Sequence, residues 1–295
     1  MSSGRVWSVL VAAMIAGVSA GCATDTSAVR RGDPYGYGRY RGAHPVPVVP
    51  VARPAPAPPR AKAESKTFLD TGLQFRVITA REIEKISARD PDLSPSLIRH
   101  ILSRINAKAA YYIEDDIREG RPLIVPNDIR AYKKWSPLDP YIPELAEVPK
   151  FILVVKDEYF LGWYEDGRLV GDSHICIGKK DGWTRAGVYS VLEKDADHIS
   201  RSYTNAYGEP AAMPWALRIY EHVWIHAGDI TQGNCSHGCI NLPVFVAPKL
   251  FEWADKGTAV MIVDALDDVE PMLAKNRSNC RLFARTCRMR QAMAD

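Results

Sequence analysis

Little net charge separates the 38 basic from the 35 acidic residues of this 295-residue chain, which stands at +3 with its histidines neutral. That balance leaves no electrostatic footprint for nucleic acid, and no nucleic-acid-binding motif accompanies it. Apolar runs of membrane-spanning length are missing as well. The stretch Val6–Val18 has thirteen residues, whereas a spanning helix needs about 20. Behind a lone Arg5 and ahead of Ser19-Ala20-Gly21-Cys22 it reads as an export signal. Cysteines number only six, and their spacing matches no common structural zinc site. Residues 23–65 lack apolar periodicity. Gly and Tyr alternate at Tyr35–Gly38, and prolines crowd Pro45–Pro59, a composition for a semi-rigid polyproline spacer or a disordered tail.

What is present divides the chain into expected segments: a signal peptide (1–21), an anchor and Pro-rich linker (22–65), a small N-terminal module (66–148), a larger β-rich domain (149–265) and a basic tail (266–295). The Ala-Gly-Cys ending at 20–22 resembles a bacterial lipoprotein signal, which implies lipidation of Cys22; Ser19 stands where that signal carries an aliphatic residue. A plain signal peptide cut after Ala20 is the alternative. The anchor would place the protein in the periplasm or cell envelope, on the outer or the inner membrane.

In the N-terminal module Ile83 and Ile86 lie three apart, and Leu97, Ile98, Ile101, Leu102 and Ile105 recur at three-to-four spacing, so two helices are expected, the second opening at Ser94-Pro95. The order of strand Phe75–Val77, two helices and extended Leu123–Asn127 resembles a lysin motif, a small glycan-binding fold, with Ala80-Arg81 replacing its Gly-Asp. A plain helical spacer is the other reading. From Lys150 the pattern changes. Phe151–Val155 and Tyr159–Tyr164 flank Lys156-Asp157-Glu158 as a hairpin, and strands follow at 168–177, 187–192, 217–220 and 260–263. Val244–Lys256 reads as one helix ending at Gly257. The fold class is therefore a mostly β domain, sandwich or barrel, with one or two helices, preceded by a small α+β or helical domain.

Chemistry concentrates between His226 and Asn241. Cys239 follows Gly238 directly and lies two residues after His237 and thirteen after His226. A thiol with an ordinary pKa of about 8.5 needs such a neighbouring base to act as a nucleophile near neutrality. Zinc held by His226, Cys235, His237 and Cys239 is the rival, disfavoured by the spacing, so neither metal nor cofactor is expected.

At His226 and Ser236-His237-Gly238-Cys239-Ile240-Asn241-Leu242-Pro243 the chain resembles the L,D-transpeptidases, bacterial cell-wall enzymes. The likeness extends upstream to Met213-Pro214-Trp215-Ala216-Leu217-Arg218 and to Thr184-Arg185-Ala186-Gly187-Val188-Tyr189, where Arg185 replaces a proline. The resemblance implies that Cys239 attacks the bond between the third residue and terminal D-alanine of a peptidoglycan stem tetrapeptide. An amine would then take the acyl group, giving a 3→3 cross-link. It further implies His226 as general base and an oxyanion hole of backbone amides at His237, Gly238 and Cys239. Ser236, His237 and Asn241 would orient the loop, and Met213 and Arg218 would line the substrate site, Arg218 gripping a stem carboxylate. Peptidoglycan stem peptides are the expected partner. An L,D-carboxypeptidase, with water as acceptor, and a non-catalytic wall-binding lipoprotein are the alternatives.

Setting aside Cys22 and Cys239 leaves Cys176, Cys235, Cys280 and Cys287, with three possible pairings. On a continuous helix Cys280 and Cys287 would lie ~10.5 Å apart, beyond the reach of a disulfide. Cys235 lies four residues from Cys239, with two readings: an oxidative brake on the nucleophile, or a structural cysteine paired elsewhere. Lys275–Arg290 carries six basic and no acidic residues, suited to a solvated helix or to an anionic surface.

Overall fold

Thr79 and Ser94 each end an extended stretch and open a helix. In the computed structural model, which describes residues 72–205 and 207–276, Thr79 Oγ1 accepts from the Glu82 amide and Ser94 Oγ from the Leu97 amide, each at 3.2 Å. These side chains satisfy amides that have no partner in a helix's first turn. They open α1 (Ala80–Arg89) and α2 (Pro95–Ile105). A third helix, α3 (Ala110–Arg118), then follows where the sequence pattern suggested only two. Its buried face holds Ile113 and Ile117 together with Asp116, so the apolar period is blurred by the acidic run Glu114-Asp115-Asp116. Strands β1 (Leu73–Arg76) and β2 (Leu123–Pro126) close the module as an antiparallel pair, with Leu73 opposite Pro126. Ile83, Ile98, Leu102, Ile113 and Val125 fill its core.

The β-rich domain that follows is a two-sheet structure. Its larger sheet runs β5 (Arg168–His174), β4 (Phe160–Glu165), β3 (Phe151–Val155), β15 (Ala259–Val263), β7 (Gly187–Ser190). β3 and β15 are parallel neighbours buried along their whole length, which explains their unbroken apolar runs. One face of this sheet, with Phe151, Leu153, Tyr164 and Met261, is covered by Leu138, Ile142, Leu145 and Leu273. The other face meets the second sheet, ordered β14 (Ile240–Leu242), β12 (Val223–Ala227), β11 (Ala216–Tyr220), β8 (Glu193–Asp195). Ile152, Val154 and Leu161 pack there against Leu217, Ile219, Val223, Ile225 and Leu242, with Leu250 of α4 (Ala247–Trp253). Two short pairs complete the domain: β9 (Ile199–Thr204) with β10 (Pro210–Ala212), and β6 (Ile177–Gly178) with β13 (Asn234–Ser236). A terminal helix, α5 (Val269–Lys275), ends the described chain. The mostly β domain preceded by an α+β module is the class expected from the sequence.

The module docks directly on this domain. Arg104 of α2 donates to Asp172 of β5 and to the Trp135 carbonyl, both at 2.8 Å, with its guanidinium 5.0 Å from the Phe160 ring centre. Both charged side chains are largely buried, so each is matched by the other. At the start of α3 the Ala109 amide donates to the Ile230 carbonyl at 2.8 Å, and the hydroxyls of Tyr111 and Tyr112 both donate to Asp229. Among the described residues no helix is long and apolar enough to cross a membrane. The signal segment, Cys22, the linker, Cys280, Cys287 and most of the basic tail lie outside the described residues.

Candidate active site

The site lies on the face of the smaller sheet that turns away from the core. Side chains alternate along a strand: Val223, Ile225 and Ala227 of β12 enter the core, whereas Trp224 packs with Met213, Ala216 and Cys239. His226 shares the face of Trp224 by the same alternation. Parallel pairing of β12 with β14 sets Ile225 opposite Ile240 and His226 opposite Asn241. Cys239, just ahead of β14, therefore sits beside Trp224 and diagonal to His226. The sequence motif thus becomes one surface through a parallel register that brings residues thirteen apart together.

Hydrogen bonds through Ser236, Thr184 and Asn241 hold the Cys239 loop. Ser236 Oγ donates to the Cys239 carbonyl at 2.6 Å and accepts from the Gly238 amide at 3.0 Å. Thr184 Oγ1, buried, donates to the Gly238 carbonyl at 2.8 Å and accepts from the Gly178 amide at 3.0 Å. Gly238 itself has φ +125, and a Cβ there would meet the Trp183 carbonyl oxygen at 3.0 Å. Only glycine suits that position. This corrects one expectation: the Gly238 amide is taken by Ser236, so it is not an oxyanion donor in this arrangement. The amides of His237 and Cys239 have no acceptor among the described residues. Asn241 braces the far side of the loop, its Nδ2 donating to the Asp229 carbonyl at 2.8 Å.

His226 is buried, and its Nδ1 lies 2.7 Å from the Ala227 carbonyl oxygen. A carbonyl only accepts, so the ring proton sits on Nδ1 and the lone pair on Nε2. Burial drives the His226 pKa down to about 4, the Ala227 carbonyl opposing and the nearby His198 adding to the effect. The imidazole is thus neutral near pH 7. Cys239 is the free cysteine among the described residues. Burial pushes its thiol up, partly offset by the Trp224 backbone, and the S–H points to the His222 carbonyl at 3.8 Å. This face accordingly carries a protonated thiol and a neutral imidazole.

The remaining expected site residues are placed as follows. Met213 packs against Trp224 and Cys239. Arg218 lies opposite Trp224 on β11, its Nε 3.0 Å from Glu193 Oε2, so it reaches the site as half of an ion pair. His237 is exposed, stacked on Tyr203 at 4.4 Å and tilted against Trp183 at 5.6 Å. Cys235 is bonded to Cys176, 59 residues away. Its sulfur is therefore unavailable to cap Cys239, which overturns the oxidative brake, and it leaves the four-donor zinc set. Arg185 pairs with Glu221 at 2.6 Å and lies over the Tyr220 ring at 4.8 Å. Sequence reasoning passed over Trp224, the Asp195–His198 pair and the Tyr111–Tyr112–Asp229 brace, none of which belongs to a local motif.

Residues 149–262 match the family model of the L,D-transpeptidase catalytic domain, YkuD. Residues 149–262 belong to that family. Similar solved structures include the catalytic domain of an L,D-transpeptidase from E. faecium, 31% identical over 39% of this chain and 96% of that one, with a TM-score of 0.33. An L,D-transpeptidase from Stackebrandtia nassauensis is 19% identical over 59% of this chain and 80% of that one, TM-score 0.41. One from Mycobacterium smegmatis is 20% identical over 39% and 59%, TM-score 0.35. The chain thus spans 59% of the length of that mycobacterial structure. No curated protein matches the chain. Within the L,D-transpeptidase domain the Ser236–Asn241 motif of the sequence lies on the smaller sheet beside Trp224 and His226.

Acid should unfold this domain early. His174, fully buried, is pushed down to about 3 by burial, then by Arg104 and His100, and His226 down to about 4. Both bind a proton in the unfolded chain near pH 6.5 but resist it when folded, so stability is whole above pH 6.5 and falls as pH drops toward 4. The loss is of order a few kcal/mol at pH 4. Asp229, raised to about 6 by burial, works in the opposite sense between its unfolded value and pH 6 and returns part of it. Urea titrations at pH 7 and pH 4.5 measure the difference, and equal midpoints would refute the assignment.

Proposed function

We propose that the protein is an exported L,D-transpeptidase, lipid-anchored through Cys22, that cross-links peptidoglycan stem peptides in the cell envelope. The observation that carries this reading is the tautomer of His226: its proton is fixed on Nδ1 by Ala227, leaving the Nε2 lone pair on the face that holds the Cys239 thiol. On binding a stem tetrapeptide the thiol turns from the His222 carbonyl to Nε2, as such contacts tighten only with substrate. His226 takes the proton while sulfur attacks the carbonyl before the terminal D-alanine. The amides of His237 and Cys239 receive the oxyanion, each contributing roughly 2.7–4 kcal/mol in comparable acyl transfer. His226 then gives its proton to the departing amine, leaving a thioester and free D-alanine. An amine of a second stem attacks the thioester and regenerates the thiol, forming a 3→3 cross-link. Met213 lines the acyl site, Ser236 and Asn241 hold the loop, and Arg218 exchanges Glu193 for a stem carboxylate.

Incubating the protein with purified tetrapeptide muropeptides tests this. We expect one D-alanine released for each new dimer. Tripeptide monomers without dimers would assign an L,D-carboxypeptidase instead, and no D-alanine at all would refute catalysis on this bond.

A further inference from the structure

The active-site face carries a second imidazole that the scheme above leaves idle. His198 Nδ1 lies 3.0 Å from Asp195 Oδ2, and the ring stacks on Trp224 with centroids 4.0 Å apart and 27° between planes. Trp224 packs on Cys239, so His198 and the nucleophile flank one indole. The groups facing His198 are Asp195 on its own segment and, from β12, His226, whose protonation it opposes. His198 keeps 20% of its side chain exposed, while its backbone carbonyl takes the Met213 amide at 2.8 Å. It stands at the foot of the β9–β10 hairpin, whose Tyr203 stacks on His237.

The acceptor poses a problem that His226 does not solve. An aliphatic amine with a pKa near 10.4 is neutral at pH 7 only about once in a few thousand molecules. An ammonium cannot attack a thioester, and His226 Nε2 has to stay free to take the proton that leaves the nitrogen after bond formation and pass it to sulfur, so the first proton needs a second base. We propose that His198, oriented by Asp195, is the acceptor-side base, taking a proton from the incoming ammonium of the second stem before it attacks. This rests on the transpeptidase reading. With Nδ1–H held by the Asp195 carboxylate, Nε2 carries the lone pair, and the carboxylate balances the imidazolium that forms. The protons close. The ammonium gives one to His198; after nitrogen bonds to the acyl carbon, a second passes to His226 Nε2 and on to the departing sulfur. The third stays on the new amide, and His198 returns its proton to water.

The test separates the two half-reactions in the full-length protein. In His198→Gln we expect the first equivalent of D-alanine to appear within a few-fold of the wild-type rate, while transfer to a stem ammonium falls about 100-fold, the scale of general-base catalysis. Transfer to hydroxylamine, already neutral at pH 7, should stay near wild type. Asp195→Asn should show the same split, and provides the measurement should the first variant not fold. Unchanged transfer to the stem ammonium would overturn the proposal, as would equal losses with both acceptors. If the wild type releases no D-alanine, the transpeptidase reading fails first, and with it the need for this base.

Discussion

Cys239→Ala is expected to abolish D-alanine release, a loss on the scale of ~10⁶-fold seen when a covalent nucleophile is removed. Removing one sulfur from a half-buried position beside Met213, Ala216 and Trp224 leaves the loop contacts of Ser236 and Thr184 in place, because those run through backbone and neighbouring side chains. The variant should therefore unfold within about 1 kcal/mol of the wild type, the scale of one buried methylene-sized group. Among the described residues no second thiol stands ready to substitute: Cys176 and Cys235 are joined to each other. Two measurements check this, D-alanine released per enzyme and the urea midpoint. Retained release with an intact fold would remove Cys239 from the chemistry.

The parts of this architecture that were legible in the sequence are those whose signal is local. Phe151–Val155 and Val260–Val263 are apolar without interruption because β3 and β15 are buried on both faces of the larger sheet. Ser94-Pro95 marks a helix start because the hydroxyl and the ring both act within one turn. The Ser236–Asn241 motif is a single loop whose residues hold one another. What stayed hidden depends on long-range register. β8, β13 and β14 are three residues each, too short to show a period. The Cys176–Cys235 bond joins positions 59 apart and has no spacing rule behind it. His198 becomes an active-site neighbour only because it stacks on a tryptophan 26 positions along that the β11–β12 pairing turns to the same face. The Arg104–Asp172 and Tyr112–Asp229 contacts cross from module to catalytic domain, where periodicity within either segment says nothing.

His226→Ala should lower the rate of D-alanine release by about 10³- to 10⁴-fold at pH 7 and change the form of its pH dependence. In the wild type the imidazole, depressed to about 4 by burial, is already a free base at pH 5. Between there and the thiol's own raised pKa the attacking pair is thiol plus neutral imidazole, so the acylation rate should be nearly level from pH 5 to 8. Only as pH approaches 4 does Nε2 take a proton and the rate fall. Without the imidazole the nucleophile is whatever thiolate exists in water's equilibrium. Burial disfavours that species, and the rate should climb about tenfold per pH unit across the same range. A single-turnover titration of both proteins between pH 5 and 8 distinguishes a plateau from a slope. A wild-type acid limb centred near 6.5 would mean that His226 titrates as an exposed imidazole, and the buried, Ala227-fixed tautomer would then not be the working base.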